Sequence, residues 1–393
     1  MGIRRRVLIT NGAAESGLAA VHSLAAAGFE VVTADFRRPF GVRSRHAARH
    51  HQLPSGSTEE FTAALLALAR HYRPDVLLPV GTRPVYAVVS RHDEFAATTA
   101  VNVPSRAAFR AAYVKSACMA ECRALGIPCP EVYPPRRARA LLESGETDRL
   151  VVKPDIDAGA ANGVHYVRTV DELGAAIDDC TRRFGSALIE EYIPGGPTAM
   201  KTVVLLFAPD GRLAAAFTTR KLRQWPPEGG VSAASCSTHD RGLAEAVLPF
   251  FRKWAWRGAA EVELKLDARD GVHKVIEINP RFPGYLRFAR HCGLDLPLLA
   301  VRLALGEVDA MPPLFAYRSG THFISPKLFV QAVSRDLRQG ADARAVLRES
   351  WRQLQGTGPL LGAMFGDPLP MVGRFLADLR SPPAAQPLFR IDC

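Results

Sequence analysis

Two short stretches of this 393-residue chain hold acids at a spacing suited to a divalent cation. Glu261-Val262-Glu263-Leu264-Lys265-Leu266 and Val275-Ile276-Glu277-Ile278-Asn279 alternate polar and apolar residues with period two, which sends successive side chains to opposite faces of a strand. The run Asp267-Ala268-Arg269-Asp270-Gly271 between them reads as a turn, so the two strands form an antiparallel hairpin. Matching Val262 with Ile278 and Leu264 with Ile276 sets Glu263 across from Glu277, with Asn279 two residues on. Opposed carboxylates repel. A divalent cation between them removes the repulsion, and an all-oxygen donor set suits Mg²⁺, which keeps waters and phosphate oxygens as its other ligands. Arg281, in Pro280-Arg281-Phe282-Pro283-Gly284, sets a fixed cation just past these ligands. A solvated polar strand is the plain alternative, and Arg281 weighs against it.

The elements that must position this hairpin define an α/β protein with an α+β part. Residues 1–110 read as a Rossmann-like parallel sheet: a strand over Val7–Thr10, a glycine turn, a helix over 17–27, a strand to Asp35, a helix at 58–71 and a strand from Val76. Residues 111–187 read as a small α/β lid. It has a helix from Lys115, the strand Val151-Val152-Lys153-Pro154, the loop Asp157–Gly163 with Gly159 and Gly163, a further strand and a helix over 170–183. Residues 188–330 read as a larger antiparallel sheet with strands near 201–208, 212–219, 260–266 and 273–279. Residues 331–393 read as a helical extension with a proline-rich end.

The ordered set Lys115, Val152-Lys153-Pro154, a glycine loop, Glu190-Glu191-Tyr192-Ile193-Pro194-Gly195, and Glu263 with Glu277-Ile278-Asn279-Pro280-Arg281 resembles the ATP-grasp enzymes over about residues 1–330. The resemblance makes residues 1–110 the domain that precedes the ATP-grasp module. It implies that Lys115 and Lys153 hold the α- and β-phosphates of ATP and that the loop from Gly159 to Gly163 closes over them with backbone amides. Glu190, with Glu191 beside it, would take the adenine amino group, and the backbone of Ile193 would pair with the ring. Glu263, Glu277 and Asn279 would bind Mg²⁺, with Mn²⁺ as a substitute. Arg281 would stabilise charge on the transferring phosphoryl group. Where family members carry a carboxylate for the ribose, this chain has Pro197 and Thr198, which leaves the Thr198 hydroxyl as the candidate. The run Arg220-Lys221-Leu222-Arg223-Gln224-Trp225-Pro226-Pro227-Glu228-Gly229-Gly230 is similar to one in a carboxylate–amine ligase subgroup. That similarity assigns Lys221 to the γ-phosphate and Arg223 to the substrate carboxylate.

The expectation is therefore an ATP- and Mg²⁺-dependent carboxylate–amine ligase that forms an amide through an acyl phosphate. Its substrates would be small molecules, amino acids among them, and a homodimer is the candidate assembly. A carboxylase or carbamoyl-phosphate-forming enzyme is the rival, and a non-catalytic nucleotide-binding regulator the second. A nicotinamide oxidoreductase is disfavoured, because the turn Gly12-Ala13-Ala14-Glu15-Ser16-Gly17 lacks a central glycine and offers Glu15 to a pyrophosphate.

The net charge of +11 does not indicate nucleic acid. Only eight of the 50 basic residues are lysine, and the arginines are scattered among 39 acids rather than clustered along a groove. Seven cysteines without framework spacing suit a reducing compartment and a cytoplasmic location. No run of about 18 apolar residues marks a membrane span, and the first residues do not read as a signal peptide. His239 and His291 read as structural.

Overall fold

The apolar run Val7-Leu8-Ile9 forms the centre of a four-stranded parallel sheet. The computed structural model of the chain describes residues 4–12, 14–36, 44–159, 161–308, 311–357 and 367. Strand β1 (Arg6–Thr10) leads through helix α1 (Glu15–Ala26) to β2 (Glu30–Asp35) and then β3 (Arg49–Gln52). Helix α2 (Thr58–Tyr72) and β4 (Val76–Leu78) follow, and the strand order is β3-β2-β1-β4. β3 escaped the sequence reading, since Arg49-His50-His51-Gln52 shows no apolar alternation; it is an edge strand. A capping box starts α2: the Ser57 hydroxyl accepts from the Glu60 amide, and the Glu60 carboxylate accepts from the Ser57 amide. Helices α3 (Thr82–Ser90), α4 (His92–Ala96) and α5 (Arg106–Tyr113) lead out of this sheet.

Helix α6 (Lys115–Ala124) and α7 (Pro135–Ser144) precede the small sheet of β5 (Leu150–Lys153), β6 (His165–Val167), α8 (Val170–Phe184) and β7 (Leu188–Glu191). Its strands are antiparallel in the order β6-β5-β7. Leu150, Val152, Leu173, Ala176, Cys180 and Ile189 give this unit its own small core.

The third sheet has six strands. A 3₁₀ turn (Pro197–Ala199) opens β8 (Met200–Phe207), followed by β9 (Leu213–Trp225), β10 (Val231–Thr238), α9 (Arg241–Lys253), β11 (Gly258–Leu266) and β12 (His273–Asn279). After α10 (Leu286–His291) and α11 (Leu296–Ala304), the short β13 (His322–Ile324) closes the sheet in the order β12-β11-β8-β9-β10-β13. β9 runs six residues beyond its expected end, through the cationic segment read as a loop, and β10 and β13 were not anticipated. One face of this sheet is covered by α9, while Phe288 of α10 packs on Phe217 on the other. Phe207 stacks on Phe251, and Trp256 meets Phe250 and Phe251, all nearly or fully buried. Burying one such side chain contributes roughly 1.5–3 kcal/mol, so this apolar face anchors the sheet whose other face carries the acids.

Helices α12 (Pro326–Arg338) and α13 (Ala343–Gln355) pack beside β9, β10 and β13. The proline-rich end of the chain lies outside the described residues, as do Ala13 and Ala160.

Candidate active site

The hairpin of β11 and β12 has the anticipated register at its upper end: Glu261 pairs with Asn279, Val262 with Ile278 and Glu263 with Glu277. Below that the register slips. Leu264 pairs with Val275 instead of Ile276, because a bulge leaves Ile276 as the extra residue on β12. A bulge re-aims the backbone, and here the Ile276 carbonyl accepts from Lys153 Nζ at 3.4 Å. The irregularity thus ties the lid sheet to the acidic hairpin.

Cations reach the acids from four elements. Lys115 heads α6, whose start is fixed by the Asp155 carbonyl (2.8 Å from the Lys115 amide) and by the Asp155 carboxylate, which accepts from the Ser116 amide and hydroxyl at 2.7 Å each. Lys115 Nζ then lies 3.8 Å from Glu277 Oε2. Lys153 ends β5 and pairs with Glu190 at 2.7 Å. Lys221 of β9 donates to Glu263 Oε2 at 3.1 Å and to the Gly230 carbonyl at 3.3 Å. Arg281 donates to Glu261 Oε2 at 2.7 Å, to the Phe282 carbonyl at 3.0 Å and to Asn279 Oδ1 at 3.2 Å. Asn279 Nδ2 in turn donates to Glu277 Oε1 at 3.0 Å.

Lys115, Lys153, Lys221, Glu190, Glu261 and Asn279 are buried. Burial pushes the Glu261 carboxyl up to about 7 against the pull of Arg281. It also pushes Glu277 up, but Lys115 and Lys153 outweigh it and hold that group below its ordinary range. Burial raises Glu190 too, with Lys153 opposing.

An arrangement of alternating buried cations and carboxylates is suited to exchange of partners. A polyphosphate entering it takes the lysines, and the carboxylates so released can take divalent cations. Glu263, Glu277 and Asn279 form an all-oxygen donor set that fits Mg²⁺. Glu190 Oε1 is a buried acceptor without a hydrogen-bond partner, which fits a ligand amino group.

Other sequence-derived candidates divide. Gly159 and Gly163 both adopt φ +76°, and a Cβ at Gly163 would lie 2.4 Å from Phe184. Gly229, in the loop after β9, sits close to the far side of this lid: a Cβ there would be 3.2 Å from Tyr166 Oη and 3.5 Å from Ala161. Ile193 is buried just past β7. Glu191 does not join Glu190. Strand alternation turns its side chain the other way, where Arg269 and Lys274 take it. Thr198 is exposed in the 3₁₀ turn. Arg223 is already engaged: α12 packs beside β9 and supplies Asp336, and α13 supplies Gln353 Oε1 at 3.0 Å. His239 serves structure, with its Nε2 2.8 Å from the Tyr317 carbonyl.

Sequence reasoning named Glu261 but gave it no part in the site. The alternation that places Glu263 in the cleft places Glu261 there as well, so the signal was present.

Three sheets in this arrangement recur in known structures. The biotin carboxylase domain dimer of the Hydrogenobacter thermophilus 2-oxoglutarate carboxylase, solved with MgADP, ADP and bicarbonate, superposes with a TM-score of 0.65 at 15% identity, over 82% of this chain and 74% of that one. N5-carboxyaminoimidazole synthetase from Staphylococcus aureus gives 0.64 at 12% identity, over 86% of this chain and 87% of that one. Residues 184–319 match the family model described as ATP-grasp in the biosynthetic pathway with Ter operon. The chain has the ATP-grasp fold. Biotin carboxylase from Campylobacter jejuni, in a β,γ-ATP complex, resembles this chain at a TM-score of 0.63 and 17% identity, over 81% of this chain and 74% of that one. No curated protein matches the chain at a significant level. Among the described residues, no helix is long and apolar enough to cross a membrane.

Proposed function

We propose that the chain is an ATP- and Mg²⁺-dependent ligase that activates a small carboxylate as an acyl phosphate and passes it to an amine. One arrangement carries the reading: Glu263 faces Glu277, Lys115 of α6 and Lys221 of β9 reach the pair, and Lys153 of β5 reaches the Ile276 carbonyl beside it. Each of these cations already faces a carboxylate, so a polyphosphate that took the cations would leave carboxylates for divalent cations entering with it. The family model and the ATP-grasp neighbours support the ATP-dependent ligase class.

In this reading Lys115 and Lys153 hold the α- and β-phosphates and Lys221 the γ-phosphate. Glu190 Oε1 accepts from the adenine amino group, and the Ile193 backbone pairs with the ring. The lid from Gly159 to Gly163 excludes water. Glu263, Glu277 and Asn279 hold Mg²⁺, or Mn²⁺ in its place. The metal supplies charge neutralisation at the phosphates. Arg281, held by Glu261 and Asn279, keeps a guanidinium beside the reacting group, so that positioning and electrostatics do most of the catalysis. All six cysteines among the described residues are free, which supports a cytoplasmic location.

A carboxylase is the second reading, favoured by the names of the neighbours. The test is ADP and phosphate release from MgATP with bicarbonate on one side and a panel of amino acids and small acids with amines on the other, read together with product mass. Release triggered by an acid and an amine, with a condensed product, supports the ligase. Release with bicarbonate alone favours the carboxylase, and no nucleotide binding in any mixture removes both.

A further inference from the structure

Three side chains with metal-ligating chemistry meet outside the set of groups around the acidic hairpin, each from a different part of the chain. His22 lies on α1, His46 in the turn after β2, and Asp367 beyond α13. His22 Nε2 is 2.9 Å from Asp367 Oδ2, and the ligand atoms of the three side chains all lie within 4.8 Å of one another. The two imidazole rings meet edge to face at a centroid distance of 5.1 Å. Asp367 is buried, His22 half-buried and His46 exposed.

The turn after β2 holds both the carboxylate and the second imidazole. Ser44 Oγ donates to Asp367 Oδ2 at 2.5 Å, and the His46 amide donates to Ser44 Oγ at 3.2 Å. Metal-ligating carboxylates are themselves held by hydrogen bonds of this kind. Burial keeps His22 below its ordinary pKa, and the neutral imidazole is the form that binds a metal. Arg287 of α10 lies near both His22 and Asp367, and the negative charge of Glu15 on α1 offsets it. An ion pair of His22 with Asp367 has no need of a second imidazole, whereas two imidazoles and one carboxylate suit Zn²⁺ and disfavour Mg²⁺. Tetrahedral Zn²⁺ sets such donors about 3.4 Å apart. A small rotation of the exposed His46 ring closes the set, and the ring gives up a weak hydrogen bond from Arg45 Nε at 3.4 Å. We propose that His22, His46 and Asp367 form a zinc site, with water as the fourth ligand, that ties Asp367 to the parallel-sheet domain. The site is independent of the ligase reading.

Full-length protein without an affinity tag, stripped of metal, should bind one Zn²⁺ per chain by calorimetry in excess Mg²⁺, which does not compete for imidazole. Co²⁺ in its place should give the intense visible bands of a tetrahedral ion, which an octahedral all-oxygen site lacks. His46→Ala removes an exposed side chain, so the metal-free thermal midpoint should stay unchanged. The same variant should lose at least about tenfold in Zn²⁺ affinity and lose the Co²⁺ bands. Ser44→Ala, which leaves all three ligands in place, should weaken Zn²⁺ binding about tenfold. Zn²⁺ should raise the midpoint of wild type more than that of His46→Ala, because a ligand stabilises the state that binds it. Wild-type protein that takes up no Zn²⁺ under these conditions overturns the proposal. So does equal Zn²⁺ affinity in wild type and His46→Ala, which would leave His22 and Asp367 as a plain ion pair.

Discussion

Lys153 and Glu190 form a buried ion pair at 2.7 Å on the diagonal of the lid sheet, where Lys153 pairs in register with Leu188 and Glu190 with Val151. The residue expected to hold phosphate and the residue expected to hold adenine are thus each other's partners before any ligand arrives. Removing one charge of a buried pair strands the other, at a cost of about 3–5 kcal/mol. Lys153→Met should therefore lower the thermal midpoint as well as abolish nucleotide binding. Adding Glu190→Gln should restore most of the midpoint and none of the MgATP binding. A single Lys153→Met variant with wild-type stability would show that the pair does not exist in solution.

Glu277→Gln tests the metal site. Turnover should drop by about a hundredfold or more, the scale of one strong electrostatic contact in the transition state. Opposed carboxylates suggested that the substitution would relieve repulsion, but Lys115 and Lys153 hold Glu277 below its ordinary range. A depressed carboxyl contributes stability above its unfolded value near 4.3 and loses it as pH falls. The variant should thus melt slightly lower than wild type at pH 7 without ligand, and should gain less from MgATP. Matching MgATP shifts in differential scanning calorimetry would remove Glu277 from the metal site.

The turn of the acidic hairpin is held by Asp267. Its carboxylate accepts from the Arg269 amide at 3.0 Å, from Arg269 Nε at 2.9 Å and from Lys274 Nζ at 2.6 Å. The Arg269 hydrogen bond outweighs burial and, with Lys274, keeps the group far below the usual carboxylate range. That stability is present above about pH 4, the unfolded value, and is lost as pH falls further. Asp267→Asn should cost at least about 2 kcal/mol at pH 7 and flatten the loss of stability below pH 4. Parallel melting curves for the two proteins across pH 2–7 would contradict this.

The lid glycines should differ in their tolerance of alanine. Gly159 has open space around a would-be Cβ, so Gly159→Ala pays only for its positive φ, about 1–2 kcal/mol. Gly163→Ala adds a Cβ 2.4 Å from Phe184 and 2.9 Å from Pro154, which must displace the loop. The KM for MgATP should rise several-fold more in Gly163→Ala than in Gly159→Ala, and proteinase K should cleave the Gly163 variant faster near residues 157–163. Equal KM values in both variants would separate the lid from nucleotide binding.

Local order was enough to place the chemistry of this chain along its strands. Period-two alternation put Glu263 opposite Glu277, because it depends on residues a few positions apart, and the order of the short motifs from Lys115 to Arg281 carried the ATP-grasp resemblance. The same alternation settles Glu190 inward and Glu191 outward, though composition alone invites reading them as a pair. Other outcomes depended on elements distant in the chain. The bulge at Ile276 arises where β12 meets the lid, and Arg223 is claimed by Asp336 and Gln353, more than a hundred residues away. Lys153 met Glu190 rather than solvent because two lid strands brought them together. A side chain's charge and face are set by its neighbours in sequence, but the partner that neutralises it is set by packing, and in a buried site the partner decides which groups are free to bind.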